Sequence, residues 1–358
     1  MSEPRPTLPL YLAIAYTLLV VYASLHPFSD WRDAGAPPTA FLLAAWPRYW
    51  TAFDLCTNAL AYLPLGFLWV STLQSDRSRL AASLQATAIA FFLSLLLEVL
   101  QNFLPSRVPS NLDLGSNSLG GLIGVLVGLR WGASLLDGGR LHAARTRLVG
   151  AGAMSDAGLV LLALWLLTQL NPETLLFGTG DLRRLLGFLN LPPPETITAE
   201  QFSAIEATVV ASNTLAVGLL CGCLLRRERL QITAALFLVA LLVRTASIML
   251  LMDSASGWSW LTPGNGVGLA AGAIAWLATS WLSQPLRQSL SALALMLATV
   301  LVNLAPENPY FSAILQVWQQ GHFLNFNGLT RLASALWPFL ALPWLIAWRN
   351  KPGKPHEN

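Results

Sequence analysis

Apolar positions along this chain fall in long blocks, most of 16 to 25 residues, broken by short polar or proline-bearing segments. That length matches the roughly 30 Å of hydrocarbon a membrane helix must cross. The blocks predict ten spans, near 8–25, 53–73, 80–104, 112–131, 157–170, 205–225, 230–252, 263–282, 289–304 and 328–348. The shortest, 157–170, is expected to recruit part of "AGAMSD" in front of it. The fold class is all-α, a polytopic transmembrane helical bundle. The run Leu8–Leu25 has neither a strong basic leader nor an A-x-A exit, so it reads as the first span rather than a cleavable signal peptide.

The pattern repeats. "LLLEVLQNFL" at 95–104 aligns with "LLVRTASIML" at 241–250, and "NSLGGLIG" from Asn117 aligns with "NGVGLAAG" from Asn265. "NALAYLPLG" from Asn58 has a weaker partner in "NTLAVGLLCG" from Asn213. "VNLAPENPYF" echoes "ASLHPF", and "RLASALWPFL" echoes "NALAYLPLGF". The expected architecture is 4 + 4 + 2: a four-span unit at 8–133, a divergent second copy at 151–283, a two-span half copy at 287–349 and a short tail at 350–358. Units with an even number of spans share one orientation, so the repeats are parallel. After the first span of each unit comes a segment with a short apolar stretch: "FSDWRDAGAPPTAFLLAAWPRYWT", "ETLLFGTGDLRRLLGFLNLPPPET" and "NPYFSAILQVWQQGHFLN". These read as interfacial helices at headgroup level.

Composition agrees with a membrane solvent. Apolar residues make up 54% of the 358, and only 11% are charged, against about a quarter in soluble domains. The formal charge of +3 is too small to argue for nucleic acid. Cys56, Cys221 and Cys223 sit inside apolar runs with no histidine near, which excludes a disulfide framework and a zinc site; no metal or cofactor is expected. With the N-terminus inside, fourteen Lys and Arg fall on the cytoplasmic side and five outside (Arg32, Arg48, Arg107, Arg183, Arg184), with Arg244 and Arg331 within spans. Basic loops are retained in the cytoplasm, so both termini are expected there.

In that frame the polar residues of the first unit lie in the extracytoplasmic half: Asp54 and Asn58, then Glu98, Gln101 and Asn102, then Asp113, Ser116 and Asn117. Glu98 is six residues before Leu104, roughly 9 Å below that end. Glu98 and Gln101 share a helix face, as do Asp113 and Asn117, and Asp113 is a candidate N-cap. A carboxylate at such depth costs about 2–3 kcal/mol on insertion scales, so it must be paired, solvated or protonated. An outward pocket lined by Asn58, Glu98, Gln101, Asp113 and Asn117 and rimmed by Arg107 would satisfy these groups; a buried network that only fixes helix packing is the alternative. The ridge Gly120–Gly121–Gly124–Gly128 reads as a helix-packing face. In the second unit Arg244 stands where Glu98 stood, while Asn213, Asn265 and Asp253 remain. Arg244 is expected to face Glu206 or to pair with Glu98. Asp54 and Arg331 read as isolated interface anchors.

At these residues the chain resembles a known family. "NALAYLPLGFLW", "EVLQNFLPSR" and "DLGSNSLGGLIG" are similar, in order and spacing, to the three signature segments of VanZ-like membrane proteins. The resemblance covers 8–133 and carries over to Asn58, Pro64, Gly66, Glu98, Gln101, Arg107, Asp113, Asn117 and Gly120. It implies a multi-pass protein of the bacterial inner membrane linked to the cell envelope, through low-level resistance to teicoplanin-type glycopeptides or through surface polysaccharide. The second half lies outside the signature, and the "RVPSNLD" linker departs from the usual Arg-to-Asp spacing.

Four functions compete. The first is a binding protein holding a lipid-linked or glycolipid headgroup, such as a peptidoglycan precursor; acids and amides suit sugar hydroxyls and amines, and Arg107 suits phosphate. The second is a membrane enzyme acting on such a lipid, with Glu98 or Asp113 as general acid/base, although the site has no nucleophile and only His26 nearby. The third is a transporter, and the fourth a structural partner of a polysaccharide-export or sorting machine.

Overall fold

The computed structural model describes residues 8–349 except 27, 34, 36, 47–49, 51, 133–134, 137–139, 151, 184–197, 227–228, 252–256 and 306–323. Among the described residues all regular structure is helical, and eight helices are long and apolar enough to cross a membrane. The chain divides into two compact units, Met1–Arg147 with Ala151–Asp156 and Leu148–Gly150 with Ala157–Asn358.

The first unit contains α1 (Leu8–Leu25), α2 (Ala52–Leu73), α3 (Arg79–Gln101), α4 (Asn111–Gly132) and the short α5 (Arg140–Leu148). Its most intimate pair is α2 with α4, and glycine is the reason. A Cβ on Gly120 would come 2.6 Å from the Ala59 Cα, and one on Gly124 would come 2.9 Å from the Leu63 carbonyl carbon. Gly128 and Gly132 continue the seam against Val70 and Ser71. Small residues let two backbones approach where lipid gives no hydrophobic drive for helix association. Tyr62, Leu65, Ala90 and Leu97 then meet Val20 and Leu25 of α1 in a buried core. Polar ties fix α1: the Tyr16 hydroxyl donates to the Ala61 carbonyl at 2.9 Å, and Trp69 Nε1 donates to Thr17 Oγ1 at 3.0 Å. Pro64 cannot donate within α2 and disturbs the preceding turn, which is where that carbonyl turns to Tyr16.

The second unit contains α6 (Ala153–Thr168, from Ala157), α7 (Ala199–Leu224), α8 (Arg229–Leu251), α9 (Pro263–Thr279), α10 (Gln284–Leu304) and α11 (Leu324–Arg349). The central helix is α7, buried nearly all round against α9 and α10. Its crossing with α9 repeats the α2–α4 crossing: Gly268 sits on Ala207 and Gly272 on Ala211, as Gly120 sits on Ala59 and Gly124 on Leu63. All four positions are displaced by the same number of residues (268 − 120, 272 − 124, 207 − 59 and 211 − 63 each give 148). In that register Asn58 corresponds to Glu206 (58 + 148), not to Asn213 as the sequence alignment had it.

Several expectations change. The spans read at 157–170 and 263–282 are helices of 16 and 17 residues, shorter than the other eight. Span five does begin inside "AGAMSD", at Ala153. After Thr168 the chain turns into buried irregular structure instead of an interfacial helix: Asn171, Pro172 and Leu176–Gly180 are all buried. Phe177 lies with its ring centroid 5.2 Å from that of Trp165 and 5.6 Å from that of Phe237. Gly180, at φ +88°, has Thr299 Cγ2 only 2.7 Å from where a Cβ would stand, so both its backbone and its surroundings require glycine. Irregular backbone inside a membrane bundle must find partners in protein. Here Gly180 N donates to the Ser334 carbonyl at 2.8 Å, Leu182 N to Asn303 Oδ1 at 2.9 Å, and Asn303 Nδ2 to the Gly180 carbonyl at 2.7 Å. The rest of that segment, 184–196, and nearly all of the third proposed interfacial helix lie outside the described residues. In the first such segment the only helical element among the described residues is one 3-10 turn, Ala40–Leu43, with Trp31, Trp46 and Trp50 exposed.

Candidate functional site

The polar residues singled out in the first unit collect where α2 and α4 begin and α1 and α3 end. The connection after α3 sets their geometry. Ser110 caps α4: its carbonyl accepts Leu114 N at 3.1 Å and its hydroxyl accepts Leu112 N at 3.1 Å. Asp113 is therefore not the N-cap but the third residue of the helix, in its first turn. Glu98, 4% exposed, accepts the Ser110 backbone N–H at 2.9 Å. The carboxylate thus ties the end of α3 to the start of α4, close to the positive end of the helix dipole. Ser110→Ala is expected to cost about 1 kcal/mol, the usual value of a lost cap, read as a small drop in thermal midpoint with the fold retained.

Asn58 Nδ2 donates to Asp113 Oδ1 at 2.9 Å. Asp113 also lies within electrostatic reach of Asp54 and of Glu98, so Asp54 belongs to this end of the unit and is no isolated anchor. Asn117, buried, donates from Nδ2 to Ser94 Oγ at 3.0 Å. The Tyr62 hydroxyl bonds the same serine and lies in the field of Glu98. Tyr62, Ser94 and Ser110 were not singled out from the sequence. Their signals are spacing: Tyr62 is i+4 from Asn58 and Ser94 is i−4 from Glu98, on the faces already identified.

Two residues turn away from that cluster. Gln101 Nε2 donates to the Ser24 carbonyl at 3.0 Å, and Arg107 Nη2 donates to the His26 and Ala23 carbonyls at 2.9 and 3.3 Å. Both satisfy the last carbonyls of α1, which have no partners within their own helix. Burial pulls the Arg107 guanidinium below its ordinary pKa, and neighbouring Glu98 opposes that shift. Among the described residues, four buried atoms at this end have no hydrogen-bond partner: Asn117 Oδ1, Asn111 Oδ1, Asn102 Nδ2 and Arg107 Nε. Buried polar groups are rarely left so, and both acceptors and donors are represented. Among the described residues no group of three His, Cys, Asp or Glu is arranged to hold a metal ion.

In the second unit the corresponding residues do not converge. Arg244, 2% exposed, bonds the carbonyls of Asn171, Pro172 and Thr174 in the buried chain after α6. It does not face Glu206, which accepts from Thr262 Oγ1 at 2.6 Å. Arg331, also read as isolated, is ion-paired with Glu173 of the same buried chain. Asn213 Oδ1 accepts from Thr179 Oγ1 at 3.4 Å, and Asn265 Nδ2 donates to the Trp260 carbonyl at 2.6 Å. Like Asn117, Asn265 keeps a buried Oδ1 without a partner. Asp253 lies outside the described residues.

Geometry and motif agree on the first unit. Residues 10–132 match the VanZ/LLP1 family model. The VanZ-like segment takes in nearly all of α1 and the whole of α2, α3 and α4, and ends on the last residue of α4. It therefore contains every residue of the polar cluster and none of the second unit. No curated protein and no solved structure matches the chain.

Proposed function

We propose that the VanZ-like unit is a binding module whose polar end, facing outward from the bacterial inner membrane, holds the headgroup of a lipid-linked glycan or glycolipid. One observation carries this reading: two carboxylates and an amide gather at this end of the unit. Asp113 is held by Asn58 Nδ2 at 2.9 Å, Glu98 by the Ser110 N–H at 2.9 Å, and Asn117 has a buried Oδ1 with no partner among the described residues. Acceptors of this kind fit the hydroxyls and amines of a sugar or amino-sugar headgroup. Arg107 enters as a brace on α1, through its bonds to the Ala23 and His26 carbonyls, and not as the main phosphate ligand.

That bracing, shared with Gln101, also favours a second reading, in which the cluster only fixes helix packing for a partner in the cell envelope. Native mass spectrometry of the full chain, wild type beside Asp113→Asn, separates the two. Removing one charged acceptor should lower retention of a bound glycolipid by about tenfold or more, while the amide that replaces the carboxylate can still bond Asn58 and keep the fold. Absence of such an adduct from a wild type of equal stability would leave the packing role.

A further inference from the structure

A second polar feature has no place in that reading. In the second unit an open cavity of about 330 Å³ is lined by Arg226, Arg229 and Arg287 together with Trp276 and Trp281. Arg287 forms its floor. It is 5% exposed, donates from Nη1 to the Gly222 carbonyl at 2.8 Å, and keeps a buried Nε with no partner. Two glycines of α7 make room for this lining: a Cβ on Gly222 would lie 3.2 Å from Arg287 Nη1, and one on Gly218 would lie 2.8 Å from Trp276 Cγ.

The electrostatics are one-sided. Among the described residues none of the three arginines forms an ion pair. Arg287 stands in the first turn of α10, where the helix dipole is positive and disfavours a cation. A buried guanidinium with no counter-charge is costly within a membrane bundle. The missing partner is therefore an anion, and a planar guanidinium fork is suited to phosphate oxygens.

We propose that this cavity binds the phosphodiester headgroup of an anionic membrane lipid, with Arg287 as the inner donor and Arg226 and Arg229 at the rim. The walls argue for a lipid over a free phosphate. Trp281 is 83% exposed at the end of α9, and tryptophan favours the membrane–water interface. The Lys and Arg distribution assigns these helix ends to the cytoplasmic side, where anionic lipids draw basic groups.

The test uses the full chain in detergent, with phosphatidylglycerol or phosphatidylcholine added at equal concentration and adducts read by native mass spectrometry. Phosphatidylglycerol should be retained under activation that strips phosphatidylcholine. Arg226→Gln/Arg229→Gln, two exposed positions, should weaken that retention by about tenfold or more with the lipid-free melting temperature unchanged. Arg287→Gln should abolish it. Equal retention of the two lipids, or a double variant that holds phosphatidylglycerol like the wild type, overturns the proposal. So does a wild type that takes up no phosphatidylglycerol, the result expected if Glu228, outside the described residues, supplied the counter-charge. Millimolar inorganic phosphate that displaces the lipid and stabilises the protein equally would overturn the lipid assignment in favour of a soluble phosphate compound. Asp113→Asn should leave this adduct untouched, so failure at either site is read separately.

Discussion

Gly124→Ala and Gly120→Ala should each destabilise the VanZ-like unit severely, whereas Gly115→Ala in the same helix should be neutral or slightly stabilising. The added methyl of residue 120 would stand 2.6 Å from the Ala59 Cα and 2.7 Å from its carbonyl carbon, and that of residue 124 would stand 2.9 Å from the Leu63 carbonyl carbon and 3.0 Å from Phe67 N. These obstacles are backbone atoms of α2, which cannot rotate aside, so α2 and α4 must move apart along their whole seam. Overpacking of even a well-formed core typically costs about 1–3 kcal/mol. Separating two helices whose contact is the backbone itself places the cost at or above the upper end of that range. At Gly115 a Cβ meets nothing within 4 Å, and alanine there gains about 0.4–1 kcal/mol through the unfolded chain and helix propensity. Thermal unfolding followed by size-exclusion chromatography in detergent should show the two seam variants losing their monodisperse peak at markedly lower temperature, with Gly115→Ala matching the wild type. Three equal midpoints would mean that α2 and α4 are not in backbone contact.

The second large effect is expected at Arg244. One guanidinium satisfies the carbonyls of Asn171, Pro172 and Thr174, in a chain segment that has no helix to do so. Arg244→Ala removes all of those donors at once. Each buried carbonyl left unsatisfied costs about 1–3 kcal/mol, so the loss is on the order of 3–5 kcal/mol, comparable with breaking a buried ion pair. Arg244→Lys should rescue little, because a compact ammonium lacks the planar fork that reaches several carbonyls together. The expected readout is local as well as global: backbone amides across 176–182 should exchange hydrogen faster in the variants than in the wild type. Unchanged protection there would show that the segment does not depend on Arg244. Arg331→Met, which breaks the pair with Glu173, should loosen the same segment by a smaller amount, because Arg331 is partly exposed.

The second unit shares one helix crossing with the first but sets different polar residues around it. The α7–α9 crossing keeps the glycine register of α2–α4, yet the position of Asn58 holds Glu206, and the arginine on α8 braces a buried loop. In the first unit the corresponding end carries carboxylates and amides with unpartnered atoms. Asn265 in the second unit also keeps an unpartnered Oδ1, but Glu206 there accepts from Thr262 and Arg244 is spent on main-chain carbonyls.

Block length and the Asn-x-x-Gly-x-x-x-Gly spacing were enough to read the helices, the α4 glycine seam and the cluster of Asn58, Glu98, Asp113 and Asn117 from the chain alone. Each rests on a period fixed by the α-helix, so residues three or four apart share a face whatever surrounds them. Partner choice was not legible. Arg107, Gln101 and Arg244 bond main-chain carbonyls, and any residue type supplies a carbonyl, so no motif marks their targets. The buried irregular chain after α6 was hidden for a similar reason: "LTQLNPETLLFGTG" reads as a span end followed by an interfacial segment. Partners on other helices, among them the Arg244 and Asn303 side chains and the Ser334 carbonyl, supply the bonds that let it leave the helix. By itself the sequence determined what must be buried in lipid and which polar residues share a helix face. The tertiary structure alone decided which donors meet which acceptors, because a hydrogen bond depends on ångström-scale approach between segments far apart in the chain.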